Sequence, residues 1–205
     1  MPIILLIRHG ENEFVKKGRL AGRLPGVQLN EKGRAQSQAL AEKLRGAPIK
    51  AIYSSPLERT METAEPIAIV LGLEVIPRPG LLEADVGEWQ GKTVKGLSRL
   101  KLWRSVQRTP SLTRFPGGES IPETQFRICQ EIETLRLQHD TKDIIICVSH
   151  SDPIKLAVAY YLGMPLDMFQ RLSISPCSIT ALQIGEHGSH LLTINYDISF
   201  TLSKP

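Results

Sequence analysis

Three clusters in this 205-residue chain bring together side chains suited to gripping an anion. Arg8-His9 follows directly on the apolar run Ile3 to Ile7. Ser54-Ser55-Pro56-Leu57-Glu58-Arg59 follows Lys50-Ala-Ile-Tyr53. Ser149-His150-Ser151-Asp152 follows Ile144 to Val148. Each cluster supplies hydroxyl, imidazole or guanidinium groups, and the third one also starts a helix. Two histidines, two arginines and a helix N-terminus are the parts of an anion site, because the first backbone N–H groups of a helix have no partner within it. Three acids, Glu83, Asp85 and Glu88, stand close together in the sequence, and spacing alone does not choose among them.

The three clusters share one kind of support. A run apolar on both faces and only five residues long fits a strand buried in a parallel sheet covered by helices. In such sheets the ligand lies at the carboxyl ends of the strands. The intervening segments read as helices. Asn30 caps one that carries Ala35, Ala39, Leu40 and Leu44 until Gly46 stops it. Residues 57 to 71 carry Met61, Ala64, Ala68 and Leu71, with Pro66 expected to kink or divide the element. Ser120-Ile-Pro-Glu123 is a capping box ahead of Phe126, Cys129, Ile132 and Leu135. Asp152-Pro153 reads as the N-cap and first residue of a helix reaching Leu162. Residues 178–184 and 190–196 form a hairpin around Gly185 to Ser189. The whole predicts a three-layer α/β/α fold with a mainly parallel sheet and one antiparallel strand near the C-terminus. Residues 1–205 are read as one domain, in which residues 78 to 118 form an excursion covering the carboxyl edge.

Composition narrows the function classes. The net charge is +4, with 41% hydrophobic and 22% charged residues, and no repeat or low-complexity tract. That mild basic excess suits a small anionic ligand and is too small to argue for nucleic acid. Cys129, Cys147 and Cys177 show no paired spacing and read as reduced thiols, Cys147 inside an apolar run. No segment reaches the length of a membrane span or a signal sequence, so a cytoplasmic location is expected. His187 and His190 sit in or beside the hairpin turn without acidic or thiol partners and are taken as surface residues, not metal ligands. Trp89 and Trp103 are taken as packing residues of the excursion.

Leu6-Ile-Arg-His-Gly-Glu11 resembles the Arg-His-Gly signature of the histidine phosphatase superfamily, the phosphoglycerate-mutase-like proteins. The resemblance continues in order through Gly18-Arg19 to Leu29, through Ser54 to Thr60 with Thr63-Ala64, through Leu82-Glu83 with Gly87, Trp89 and Gly91, through Pro116 to Ser120, and through Val148-Ser-His150. A signature followed by five further motifs in order over residues 3 to 196 is specific in a way that one motif is not.

The resemblance implies a metal-independent phosphomonoester hydrolase with no cofactor, acting on a small phosphorylated metabolite. His9 is then the nucleophile and Glu83 the proton donor. His150, as a cation, stabilises equatorial charge, and Arg8 and Arg59 hold the phosphoryl oxygens. Two positions depart from the family pattern. Ser151-Asp152 stands where Gly-Gly is usual, so Ser151 can add a hydroxyl to the phosphate shell. Val15 replaces a common asparagine, leaving Asn12 as the nearest amide. The alternatives are a cofactor-dependent phosphoglycerate mutase and a non-catalytic phosphate-binding module. The short span from Glu83 to His150 and the intact acid weigh against them. No nucleic acid or membrane partner is expected, and a homodimer through the sheet edge is allowed for.

Overall fold

Alternating apolar strands and amphipathic helices assemble, in the computed structural model, around a six-stranded sheet. The structure describes residues 1–197. The last eight residues of the span read as one domain lie outside the described residues. In chain order the elements are β1 (Ile3–Arg8), α1 (Glu13–Lys16), α2 (Glu31–Lys43), β2 (Ile49–Ser54), α3 (Glu58–Leu71), β3 (Val75–Pro77), α4 (Val94–Leu97), α5 (Lys101–Arg108), α6 (Ile121–Leu137), β4 (Ile144–Ser149), α7 (Ser151–Tyr161), β5 (Ile179–Gly185) and β6 (Gly188–Tyr196). The strand order is β3-β2-β4-β1-β5-β6. β1, β2, β3 and β4 pair in parallel, whereas β5 runs antiparallel to both of its neighbours.

The strand alternation fills two cores. Ile4, Leu6, Ile145 and Cys147 point to the side covered by α6 and α7, where Ile128, Ile132, Leu156 and Ala157 meet them. Ile7, Ile146 and Val148 point to the other side, where Leu40 and Ala41 of α2 and Ala64 and Ile67 of α3 close the third layer. The central strands are therefore apolar on both faces, as their sequence requires. Burial drives the thiols of Cys129 and Cys177 up to about 12 and that of Cys147 higher still, so all three stay protonated. No helix among the described residues is long and apolar enough to cross a membrane.

Local expectations meet the structure with four differences. The Ser120 capping box forms and Asn30 caps α2. Pro66, however, does not divide α3, which runs unbroken from Glu58 to Leu71. A proline inside a helix costs about 3 kcal/mol, and the burial of Thr63, Ala64, Ile67 and Ala68 under the sheet outweighs it. The helix after the second histidine starts at Ser151, with His150 rather than Asp152 at the N-cap. The hairpin turn is shorter than expected, so Gly188 and Ser189 join His190 in β6; both His187 and His190 are exposed. Finally, Val75–Pro77 forms a short edge strand with no strong sequence signal.

The excursion contains short helices and 3₁₀ turns rather than strands. Trp89 is buried and stacks near Trp103 and Phe115, with ring centroids 5.8 and 5.5 Å away, so both tryptophans serve packing. The segment is tied to the sheet edge at two points. Ser149 Oγ donates to Leu81 O at 2.8 Å, and the Arg78 N–H donates to Ser54 O at 2.7 Å.

Candidate active site

Strand register places the two histidines side by side. Arg8 pairs with Ser149 across β1 and β4, so the next residue on each strand is a histidine. The His9 N–H donates to Ser149 O at 3.0 Å, and the two imidazole centroids are 5.2 Å apart. Ser54 ends β2 opposite Val148, which brings Ser55 and the first turn of α3 to the same edge. Gly10 lets the chain turn away at once: a Cβ there would lie 2.7 Å from Gly33 O, too close for any other residue.

A cavity of about 150 Å³ opens over these strand ends. Arg8, His9, Asn12, Arg59, Glu83 and Ser151 line it, together with Val15, Arg19, Leu20, Ala21, Gly22, Val86 and Asp152. His150 lies fully buried directly behind it. All seven residues expected from the sequence therefore converge.

The cavity is lined with hydrogen-bond donors that the protein leaves unused. Arg59 is only 1% exposed, yet its Nε and Nη1 have no partner. Arg8 Nε and Asn12 Nδ2 are likewise buried and unsatisfied. Their other atoms are engaged. Arg8 Nη1 donates to Ile174 O at 2.6 Å, Arg59 Nη2 to Gly22 O at 2.7 Å, and Asn12 Oδ1 caps α1. Buried donors without partners are costly. Their shared direction toward one cavity matches an oxyanion.

The tautomers follow from geometry. His9 Nδ1 lies 2.7 Å from Gly10 O. A carbonyl only accepts, so Nδ1 carries the hydrogen and Nε2 keeps its lone pair. Burial, reinforced by the charges of Arg59 and Arg8, holds the His9 pKa well below its ordinary value, and the ring is neutral. His150 Nδ1 lies 3.3 Å from Arg59 Nη2, and Nε2 lies 2.9 Å from Ser55 Oγ. A guanidinium only donates, so Nδ1 accepts and Nε2–H points at Ser55. Burial, Arg59, His9 and Arg8 hold this ring neutral too. The ring is thus neutral where the resemblance implies a cation, burial and the neighbouring guanidiniums being the cause.

Glu83 is the acid that reaches the cavity. Its Oε2 is 4.0 Å from His150 Nδ1 and its side chain is 19% exposed. Burial, with a smaller push from Asp152, raises its pKa to about 7 against the opposing pull of Arg59 and Arg8. It is thus about half protonated at neutrality and largely protonated below it. Of Glu83, Asp85 and Glu88, only Glu83 lines the cavity.

The sequence did not reveal how the Glu83 segment is held. Arg127 of α6 donates to Gly80 O and Leu82 O at 2.9 Å and to Glu83 O at 3.2 Å. Arg23 Nε donates to Glu83 O at 2.8 Å. Both guanidiniums pair with Glu119, which also accepts from the Asp85 N–H and Thr124 Oγ. The signal available was Glu119 within Pro116 to Ser120, a motif quoted for its resemblance alone. Arg19 at the mouth was also passed over. Its Nε donates to Gly91 O at 2.8 Å, it lies 5.2 Å over the Phe14 ring, and it has no acidic partner among the described residues. No cluster of three or more His, Cys, Asp or Glu suited to a metal ion occurs among the described residues.

A mainly parallel sheet that ends in a buried histidine among guanidiniums with unused donors suits the binding of a phosphoryl group. Comparison gives the family: the model of the histidine phosphatase superfamily (branch 1) matches residues 4–197, and the chain belongs to that superfamily. It is 32% identical to phosphoserine phosphatase 1 of Hydrogenobacter thermophilus, over 95% of this chain and 92% of that one. It is also 32% identical to a 2,3-bisphosphoglycerate-dependent phosphoglycerate mutase of Thermoplasma acidophilum, over 90% and 88%. Among solved structures, a phosphoserine phosphatase from Entamoeba histolytica in complex with phosphoserine superposes with a TM-score of 0.88 at 28% identity, covering 97% of this chain and 98% of that one. These likenesses support a phosphatase.

Proposed function

We propose that the chain is a metal-independent phosphomonoesterase that works through a phosphohistidine on a small phosphorylated metabolite. The observation that carries this reading is the neutral His9 ring, whose Nδ1 is tied to Gly10 O while Nε2 is left for the cavity of unused donors.

In the first step His9 Nε2 forms a bond to phosphorus and the bond to the ester oxygen breaks. Arg8, Arg59, Asn12 and Ser151 receive the phosphoryl oxygens. The negative charge of the phosphoryl group favours protonation of His150, which then serves as a cation. Each such preorganised donor is worth about 3 to 4 kcal/mol in the transition state. Glu83 gives its proton to the departing oxygen. In the second step Glu83 takes a proton from water, the oxygen of that water bonds to phosphorus, and the P–N bond breaks. His9 returns to its starting tautomer, and splitting one displacement in two lowers each barrier. Arg19, unpaired at the mouth, offers a further cation to a substrate carboxylate such as that of phosphoserine.

Rapid quench with a phosphate-labelled substrate in excess chelator tests the proposal. An acid-labile, base-stable protein adduct is expected on the native chain and none on His9→Ala, whose turnover should be abolished. Substantial turnover by that variant, or activity lost to chelator and restored by Mg²⁺, would refute the mechanism. The mutase relative supplies the competing reading. Incubation with 3-phosphoglycerate separates the two, since a mutase yields the 2-isomer where a phosphatase yields inorganic phosphate.

A further inference from the structure

The cavity that Arg8 and Arg59 prepare for an oxyanion also contains a carboxylate that such a ligand repels. Asp152, the second residue of α7, lines it beside Ser151. Its Oδ1 is 3.2 Å from Lys155 Nζ and its side chain is 30% exposed, while Oδ2 has no hydrogen bond within the described residues. Its charge reaches both Arg8 and Glu83. An acid in the first turn is favoured by the helix dipole. That accounts for Asp152 on an ordinary helix, but here it stands on the wall of an anion pocket. There it weakens the hold on a bare phosphoryl dianion. A ligand with a cation close to its phosphate reverses the sign, since the same carboxylate then attracts it. The buried unsatisfied donors of Arg8, Arg59 and Asn12 fix where the phosphoryl group lies. On the same wall, Asp152 Oδ2 is a carboxylate oxygen with no hydrogen-bond donor of the protein on it among the described residues.

Building on the phosphatase reading, we propose that Asp152 receives a cationic group of the substrate. The preferred substrates are then phosphate esters of amino alcohols or hydroxy amino acids, whose ammonium stands two carbons from the ester oxygen. Lys155 and the incoming ammonium share the carboxylate, one on each oxygen.

O-Phosphoethanolamine and ethyl phosphate differ by that ammonium and serve as probes, with p-nitrophenyl phosphate as reference. The native chain should prefer phosphoethanolamine by roughly 10- to 100-fold in kcat/KM, the range of one hydrogen bond to a charged group. Asp152→Asn should collapse the ratio of the two values toward one. The ratio is the readout, because any change in the Glu83 proton affects both alkyl esters alike. Calorimetric binding of the two esters to His9→Ala reads the same preference without turnover. A purely structural role for Asp152 would lower both esters together and leave the ratio unchanged. That result, or a native chain showing no ammonium preference in turnover or binding, overturns the proposal. Failure to release nitrophenol counts instead against the phosphatase reading.

Discussion

Replacing Glu119 with glutamine removes one negative charge from the point where Arg23, Arg127 and the Asp85 N–H meet. The magnitude follows from the carboxylate's own proton affinity. Burial alone would raise its pKa, but the hydrogen bonds from Arg127, the Asp85 N–H and Arg23 lower it to about 2. Against an ordinary carboxyl that corresponds to about 3 kcal/mol of native-state stabilisation, and with its side chain only 21% exposed little of this is lost to solvent screening. Because the folded value is depressed, this stabilisation is fully present above the unfolded pKa near 4.5 and fades as pH falls toward 2. For a chain of this length Tm should drop by about 6 to 12 °C at pH 7. The gap between variant and native chain should narrow steadily between pH 4.5 and 2. Thermal unfolding followed by circular dichroism across that range reads both quantities. Turnover adds a second test, since Arg23 and Arg127 also hold the Glu83 carbonyl. Alkyl phosphates, whose leaving oxygen needs a well-placed proton, should slow more than p-nitrophenyl phosphate. A Tm within about 2 °C of native at pH 7 would refute the reasoning, as would a gap that ignores pH.

Two further outcomes are expected. Glu83→Gln should lose roughly 100- to 10,000-fold in single-turnover cleavage of an alkyl phosphate, the usual scale of general-acid catalysis, and much less with a nitrophenyl ester. In the native chain that step should weaken for alkyl esters as pH rises through about 7, where Glu83 gives up its proton; equal losses for both esters would remove Glu83 from the role. Arg59→Lys keeps the charge but not the planar fork, and kcat/KM should fall by about 100- to 1,000-fold, with a loss under tenfold showing that the fork is not what grips phosphate.

The legible parts of this molecule are those where a local run of residues carries its own structural signal. Each strand that carries the site is an apolar run ending abruptly in polar residues, and three such endings reveal an edge. Asp152-Pro153 is a good start signal and predicts the helix after His150 two residues late. A proline at the third helical position is tolerated just as well, since that N–H also lacks a partner within the helix. Val75–Pro77 escaped because three residues, two of them exposed, carry no pattern. The clamp on Glu83 was invisible for a different reason. Arg23 and Glu119 are 96 positions apart, and a charged residue whose partner is set only by the fold looks in sequence like any solvated charge.

The unsatisfied nitrogens of Arg59 bear on the end of the reaction as much as on its beginning. Inorganic phosphate, freed by hydrolysis, offers the same tetrahedral oxygens to the same donors as the ester did, without the organic group that leaves first. Arg59 meets the same oxygens in both. Inorganic phosphate is therefore expected to compete with the ester for these donors at the one site, without a separate regulatory site.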